Sequence, residues 1–165
     1  MNKFLMALLG ILILPDVYAS ESVEILIQAT VGTTCSVSTN SQTIDLGNIS
    51  VSTEAENMEN YSKSFDLIAN CPSATSYKYS FSTTDSIVNN CIASSKDQTM
   101  LFCLKDNQNN QIQLSNDDNL KQFTGELEDG KQTTSFKIVP ALNAPAGPLS
   151  IGEHQGHLLV KISPD

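Results

Sequence analysis

Residues 65–71 read Phe-Asp-Leu-Ile-Ala-Asn-Cys, and every second side chain in this stretch is apolar or small. In an extended strand, successive side chains point to opposite faces. Phe65, Leu67, Ala69 and Cys71 would therefore share one face, with Asp66 and Asn70 on the other. This period of two predicts a half-buried β-strand rather than a helix.

The same alternation recurs along the chain, between turns rich in Gly, Pro, Asn and Asp. Its apolar positions are Ile44 and Leu46; Tyr77, Tyr79 and Phe81; Met100, Phe102 and Leu104, with Leu101 and Cys103 on the opposite side; Ile112 and Leu114; Phe136 and Ile138; and Leu158, Val160 and Ile162. Residues 53–63 are expected to hold one short helical turn. The pattern predicts an all-β protein, a single β-sandwich of immunoglobulin-like size.

Composition excludes several classes of function. The chain has 165 residues, 9 Lys and no Arg against 18 Asp+Glu, and a formal net charge of −9. Nucleic-acid binding usually requires a basic face, and an anionic membrane surface would repel this charge. We also expect no small-molecule substrate and no enzymatic activity, because no nucleophile elbow, phosphate-binding loop or metalloprotease motif occurs.

The first nineteen residues are typical of a secretory signal peptide. Lys3 precedes eleven apolar residues, 4–14, and Ala19 provides a small residue at a cleavage position. The apolar run is too short to cross a bilayer as a helix. The mature chain would begin at Ser20.

Export decides how the four cysteines are interpreted. Cys35, Cys71, Cys91 and Cys103 lack the short paired spacings of a zinc site. In an oxidising compartment four cysteines indicate two disulfides, with three possible connectivities. We favour Cys35–Cys71 with Cys91–Cys103; the alternative is one disulfide and one free, buried pair.

Two groups of side chains are candidate ligand sites. Glu153, His154 and His157 lie close in sequence, but they lack the ligand set of a metal centre, so we expect a solvated turn and no metal or other cofactor. Tyr77 and Tyr79 are the candidate aromatic residues for a carbohydrate site, although such sites usually contain Trp, which is absent.

The segment 20–31 has one apolar face before the first cysteine, made of Val23, Ile25, Ile27, Ala29 and Val31. It is either an ordinary first strand or a strand that inserts into a neighbouring molecule. Periodicity by itself favours the first interpretation.

Several motifs, in order, resemble subunits of bacterial chaperone–usher pili of the type 1 pilin-like kind. The resemblance is carried by an apolar N-terminal segment running into 29–37, an apolar-Asp-apolar-Gly stretch at 44–47, the second-cysteine strand 65–71, a hairpin at 101–114, and two last strands at 136–141 and 157–162. It covers nearly the whole mature chain.

The resemblance implies an incomplete immunoglobulin-like sandwich, 35–165, that lacks its last strand and carries a donor-strand extension, 20–34. Val23, Ile25, Ile27, Ala29 and Val31 would be the donor residues. The groove would lie beside the C-terminal strand with Leu158, Val160 and Ile162. The implied partners are a periplasmic chaperone, an outer-membrane usher and neighbouring subunits of a surface fimbria that contributes to cell adhesion.

Two features depart from the family pattern. Pro164, which cannot donate to a β-ladder, stands in the last strand, and the Cys91, Cys103 pair is additional. They indicate a minor or divergent subunit, or a member of the related spore-coat-U-like group. Two other functions remain open: a fimbrial tip adhesin, and a secreted β-sandwich that completes its own fold and acts as a binding protein.

Overall fold

The computed structural model describes residues 35–72, 74–115 and 123–165. The predicted signal peptide, 1–19, and the predicted donor extension, 20–34, lie outside these ranges.

The described part of the chain contains nine strands and two short 3₁₀ helices. The strands are β1 Ser36–Thr39, β2 Lys63–Asn70, β3 Ser76–Ser82, β4 Ile87–Val88, β5 Cys91–Ala93, β6 Met100–Asp106, β7 Phe123–Glu126, β8 Lys131–Leu142 and β9 Leu159–Pro164. The 3₁₀ helices span Ala55–Tyr61 and Ala144–Ala146. The first lies within the region where a helical turn was expected.

The strands form two antiparallel sheets. A six-stranded sheet has the order β1-β2-β8-β6-β5-β4, and a three-stranded sheet has the order β7-β3-β9. The predicted all-β sandwich is confirmed. The alternation of apolar side chains explains it, because each sheet can bury one face only against the other.

Aromatic side chains fill the space between the sheets. Tyr77, Tyr79 and Phe81 project from β3 and are fully buried, as is Phe136 of β8. The ring of Phe81 lies edge-on to that of Phe136, with centroids 5.1 Å apart. The Tyr77 hydroxyl also bonds the Thr134 hydroxyl at 2.6 Å, which joins the two sheets by a buried hydrogen bond.

Strand β6 is buried on both faces, whereas its sequence predicted one core face. Phe102 and Leu104 lie in the main core, while Leu101 and Cys103 form a second buried cluster with Cys91 and Ala93. The cluster forms because the disulfide and neighbouring strands β5 and β8 supply apolar contacts on the outer side of the sheet.

Two predicted strand segments join no regular ladder. Ile44 and Leu46 pack against the core, but residues 40–52 form no strand in the structure. Ile112 and Leu114 are buried beside an isolated bridge between Lys105 and Gln111. Alternating apolar residues indicate which side chains are buried. A β-ladder requires in addition a neighbouring strand that supplies hydrogen-bond partners for the backbone.

The disulfides are Cys35–Cys71 and Cys91–Cys103, the connectivity favoured from the sequence. Cys35–Cys71 joins the start of β1 to the end of β2. Cys91–Cys103 joins the adjacent strands β5 and β6 near one edge of the larger sheet.

Candidate functional site: a groove beside the last strand

Two sheet edges face each other on one side of the sandwich. β1 is an edge strand of the larger sheet and β9 is an edge strand of the smaller one. The two strands lie next to each other. Within the described ranges, no ladder connects β9 to β1 or to residues 40–49 that continue from β1. Open edges of this kind are templates for another strand.

A groove of about 800 Å³ opens beside the start of β9. Its floor contains Met100, Phe102 and Ile138 of the larger sheet. One wall is formed by residues 43–49 with Val51, and the other by residues 149–156 with Leu158. The groove therefore gives access to the apolar interior between the sheets.

Polar contacts brace the loop that forms the second wall. The Ser150 hydroxyl donates to the Asp97 carboxylate, and the Ser95 backbone N–H donates to the Gln155 carbonyl at 3.0 Å. The His154 ring is almost buried, with Nδ1 3.1 Å from the Ser94 hydroxyl and Nε2 3.0 Å from the Ser150 carbonyl. These contacts hold the wall against the β5–β6 turn.

The carboxylate of Asp97 is the electrostatic centre of this brace. Hydrogen bonds from the Ser150 hydroxyl and from the Thr99 backbone N–H lower the pKa of Asp97 to about 2. His154 Nδ1 lies 3.7 Å from the same carboxylate. The brace is therefore built around an ionised acid.

A second contact fixes the approach to β9. The Asp85 carboxylate accepts from the His157 backbone N–H at 2.7 Å and lies 3.0 Å from His157 Nδ1. The Thr83 hydroxyl donates to the His157 carbonyl at 2.5 Å. Because these bonds tie residue 157 to the turn after β3, β9 begins beside the groove in a defined position.

The structure places the three predicted groove residues in or beside β9. Val160 is buried in the core, and Leu158 and Ile162 are partly buried against it. Leu158 immediately precedes β9 and lines the groove. The predicted donor residues, from Val23 to Val31, lie outside the described residues.

Pro164 ends β9 without disrupting it. It lies opposite Tyr77 in register, and the Asp165 backbone N–H continues to the Ser76 carbonyl at 3.3 Å. Because the proline is the last residue of the strand, its missing N–H removes few hydrogen bonds from the ladder between β9 and β3.

The considered carbohydrate residues are buried. Tyr77 and Tyr79 have at most 1% of their surface exposed, and this burial raises the pKa of both hydroxyls. Because buried rings cannot stack on a sugar, Tyr77 and Tyr79 do not form a carbohydrate platform.

His154 and His157 contact different partners, Asp97 and Asp85. Within residues 35–72, 74–115 and 123–165, no three His, Cys, Asp or Glu side chains are grouped so as to hold a metal ion. Over the same ranges, no helix has the length and apolar character needed to cross a bilayer.

Sequence reasoning identified only part of the groove walls. It named Ile44, Leu46 and His154, but it missed Val51 and Ile151 because they lie in turns outside the alternating strands. The available signal was that apolar residues continue at every second position into both turns, from Ile49 to Val51 and from Leu149 to Ile151.

Comparisons with known proteins agree with this architecture. A family model described as "Fimbrial protein" matches residues 21–163. No curated protein sequence matches the chain.

Three solved structures are similar in fold. The P pilus rod subunit PapA has a TM-score of 0.61 and 16% identity, covering 79% of this chain and 98% of its own. A subunit in the structure of a chaperone–usher pilus, solved to explain rod uncoiling, has a TM-score of 0.59 and 16% identity, covering 88% and 97%. A chain of the CsuC–CsuE chaperone–tip adhesion subunit complex, from archaic Csu pili of Acinetobacter baumannii, has a TM-score of 0.51 and 14% identity, covering 78% and 39%.

Proposed function

The chain belongs to the fimbrial protein family, and we propose that it assembles into its fibre by exchanging strands between neighbouring subunits. It is an exported structural subunit of surface fimbriae of the chaperone–usher class, and not an enzyme. The proposal concerns how it joins that fibre and with which partners.

The groove beside β9 is the observation that carries the proposal. The edge strand β9 begins beside an apolar floor and faces a wall, residues 43–49, that joins no ladder within the described residues. An added strand would supply the missing ladder bonds with its main chain and fill the floor with alternate side chains. A strand of alternating apolar character is therefore the expected occupant.

The segment 20–31 has that character. Its donor residues would be Val23, Ile25, Ile27, Ala29 and Val31, contributed to the groove of the preceding subunit. Burial of the four larger side chains would contribute on the order of 6–10 kcal/mol before the cost of ordering the segment. Ala29 is small enough to allow close approach of the backbones.

We propose an order of partners at this groove, which the resemblance to chaperone–usher subunits implies. A periplasmic chaperone would first cover it with a strand of its own, since an exposed edge over an apolar floor would otherwise aggregate. At an outer-membrane usher, the donor segment of the next subunit would replace the chaperone strand. The finished fibre would contribute to adhesion of the cell.

A peptide experiment tests the proposal. A synthetic peptide of residues 20–31 is added to a protein that lacks residues 1–34, and unfolding is followed by circular dichroism. We expect Tm to rise with peptide concentration, as linkage to a ligand of the folded state requires. The matched control peptide carries Ser at positions 23, 25 and 27.

The competing functions make different predictions. A stable monomer whose Tm is unchanged by either peptide would refute strand exchange. A structure with residues 20–31 paired inside their own domain would favour the self-complete sandwich. Binding of chaperone-capped monomer to a glycan array would favour a tip adhesin.

A further inference from the structure

Two large apolar side chains stand exposed on opposite walls of the groove. Val51 is 52% exposed and Ile151 is 84% exposed, and both line the groove. Neither contributes to the buried core. An isolated exposed residue needs no explanation, but a pair flanking one groove forms an apolar rim.

Hydrogen bonds fix the backbone of the turns that carry these two side chains. Val51 lies in a turn closed by the Thr53 backbone N–H donating to the Ser50 carbonyl at 2.9 Å. Ile151 lies in the braced loop, where the Lys96 ammonium group donates to its carbonyl and the preceding Ser150 bonds Asp97. The exposure of the rim is therefore built into two fixed turns.

The rim and Cys35 lie at opposite ends of the sandwich. Ser36 pairs with Asn70, beside the Cys35–Cys71 disulfide, and the last residues of β9 reach Ser76 and Tyr77 near that end. The first residue of β9, Leu159, pairs with Ser82 at the other end, next to the groove walls. β9 thus runs from the rim end to the disulfide end.

The direction of a donor strand relative to β9 determines which end of the donor lies at the rim. Every strand pair in both sheets is antiparallel, and antiparallel pairing is the more frequent arrangement generally. A donor antiparallel to β9 would end, at Val31, beside the start of β9. Val31 would therefore lie at the rim.

Few residues separate the donor strand from its own sandwich. Gly32, Thr33 and Thr34 stand between Val31 and Cys35. At about 3.3 Å per residue, the four steps from Val31 to Cys35 span at most about 13 Å. Cys35 of the donating subunit must then lie within about 13 Å of Val31, and so close to the rim of the accepting subunit.

We propose that Val51 and Ile151 form a second contact between subunits, seated on the disulfide end of another copy of this chain. The proposal rests on the strand exchange described above. The surface available on the partner copy includes the partly exposed Cys35 and the exposed Pro72, next to the disulfide. Such a head-to-tail contact uses two different surfaces of the chain and so extends into a filament.

The test compares assembled full-length mature chains. The double variant Val51→Ser/Ile151→Ser is assembled through its chaperone and usher, and fibre dissociation in guanidinium is timed. We expect dissociation about tenfold faster than for the wild type, because interface changes act mainly on the off-rate. The control Gln108→Ser changes an exposed side chain in the turn after β6, which belongs neither to the rim nor to the residues beside the Cys35–Cys71 disulfide, and should leave the rate unchanged.

Peptide binding separates this contact from the groove itself. The peptide 20–31 ends before the linker, so its affinity for the double variant should stay within about twofold of wild type. A photo-reactive residue at position 151 should cross-link to residues 32–36 or 72 of another copy. Wild-type dissociation rates in the double variant, or cross-links confined to other surfaces, would overturn the rim contact.

Two further outcomes are also decisive. If the wild-type groove does not bind the peptide at all, strand exchange itself is wrong, and the rim contact, which depends on it, is wrong as well. If the peptide binds but wild-type chains do not join one another, the second copy is not the occupant of the rim.

Discussion

Asp97 makes the groove wall sensitive to acid. Its pKa is lowered from 3.8 to about 2 by hydrogen bonds in the folded state. A lowered pKa stabilises the fold above the unfolded value and loses that effect as the pH falls. Stability should therefore decrease between about pH 4 and pH 2.

We expect Asp97→Asn to reduce this decrease. Tm measured from pH 5 to pH 2 should fall less steeply in the variant than in the wild type. Glu153→Gln, whose side chain bonds Gln155 in the same loop, is the control. An unchanged pH dependence in Asp97→Asn would contradict the prediction.

Tyr77 and Tyr79 should respond oppositely to loss of their hydroxyls. The Tyr77 hydroxyl bonds Thr134 at 2.6 Å, whereas the buried Tyr79 hydroxyl has no hydrogen-bond partner within the described structure. Tyr77→Phe should destabilise by about 0.5–1.5 kcal/mol, and Tyr79→Phe should stabilise by about 1–3 kcal/mol. Denaturant unfolding of the two variants measures the difference, and equal effects would refute the assignment.

At the scale of elements, the first 3₁₀ helix is held mainly by one apolar side chain. Met58 is 1% exposed, while Glu59 reaches the ammonium groups of Lys137 and Lys105 at 3.2 and 3.5 Å from a half-exposed position. Lys137 and Lys105 lower the pKa of Glu59. Exposed ion pairs contribute little to stability because water and salt screen them.

Met58→Ala should therefore lower the free energy of unfolding by about 2–5 kcal/mol, and Glu59→Gln should change it only slightly. Both are measured by denaturant unfolding at low and high salt. Only the small effect of Glu59→Gln should depend on salt. A larger loss for Glu59→Gln than for Met58→Ala would show that the ion pairs hold the helix.

At the scale of the molecule, the two disulfides close loops of different length. Cys35–Cys71 spans 36 residues and Cys91–Cys103 spans 12. In the chain-entropy account, these contribute about 4 and about 3 kcal/mol respectively.

Replacing both cysteines of a pair by Ser should thus destabilise more for Cys35/Cys71 than for Cys91/Cys103, by about 1 kcal/mol. Chemical unfolding of the two double variants, each retaining the other disulfide, makes the comparison. Equal losses would indicate that contacts in the folded state outweigh loop length. The second buried cluster around Cys91 and Cys103 is where such contacts would act.

The amino-acid sequence by itself determined the all-β class, since burial of one sheet face requires an apolar residue at every second position. Residues 65–71, 77–81 and 136–138 have this alternation. The cysteine pairing favoured from the sequence, Cys35–Cys71 with Cys91–Cys103, is also the one in the structure. Periodicity identifies which side chains are buried, but not which strand lies beside which. It therefore assigned Ile44 and Leu46 to a strand although the structure gives them no ladder partner.

The resemblance predicted a groove beside the C-terminal strand, but the tertiary structure was needed to identify its walls. One wall consists of residues 43–49 with Val51, and the other is the loop 149–156. The bonds of that loop to Asp97 and Lys96 join residues about 55 positions apart. No local pattern encodes such contacts, because they depend on how two sheets stack. The exposure of Val51 and Ile151 beside an apolar floor is likewise a property of the packed molecule, since a sequence does not show which apolar residues remain uncovered.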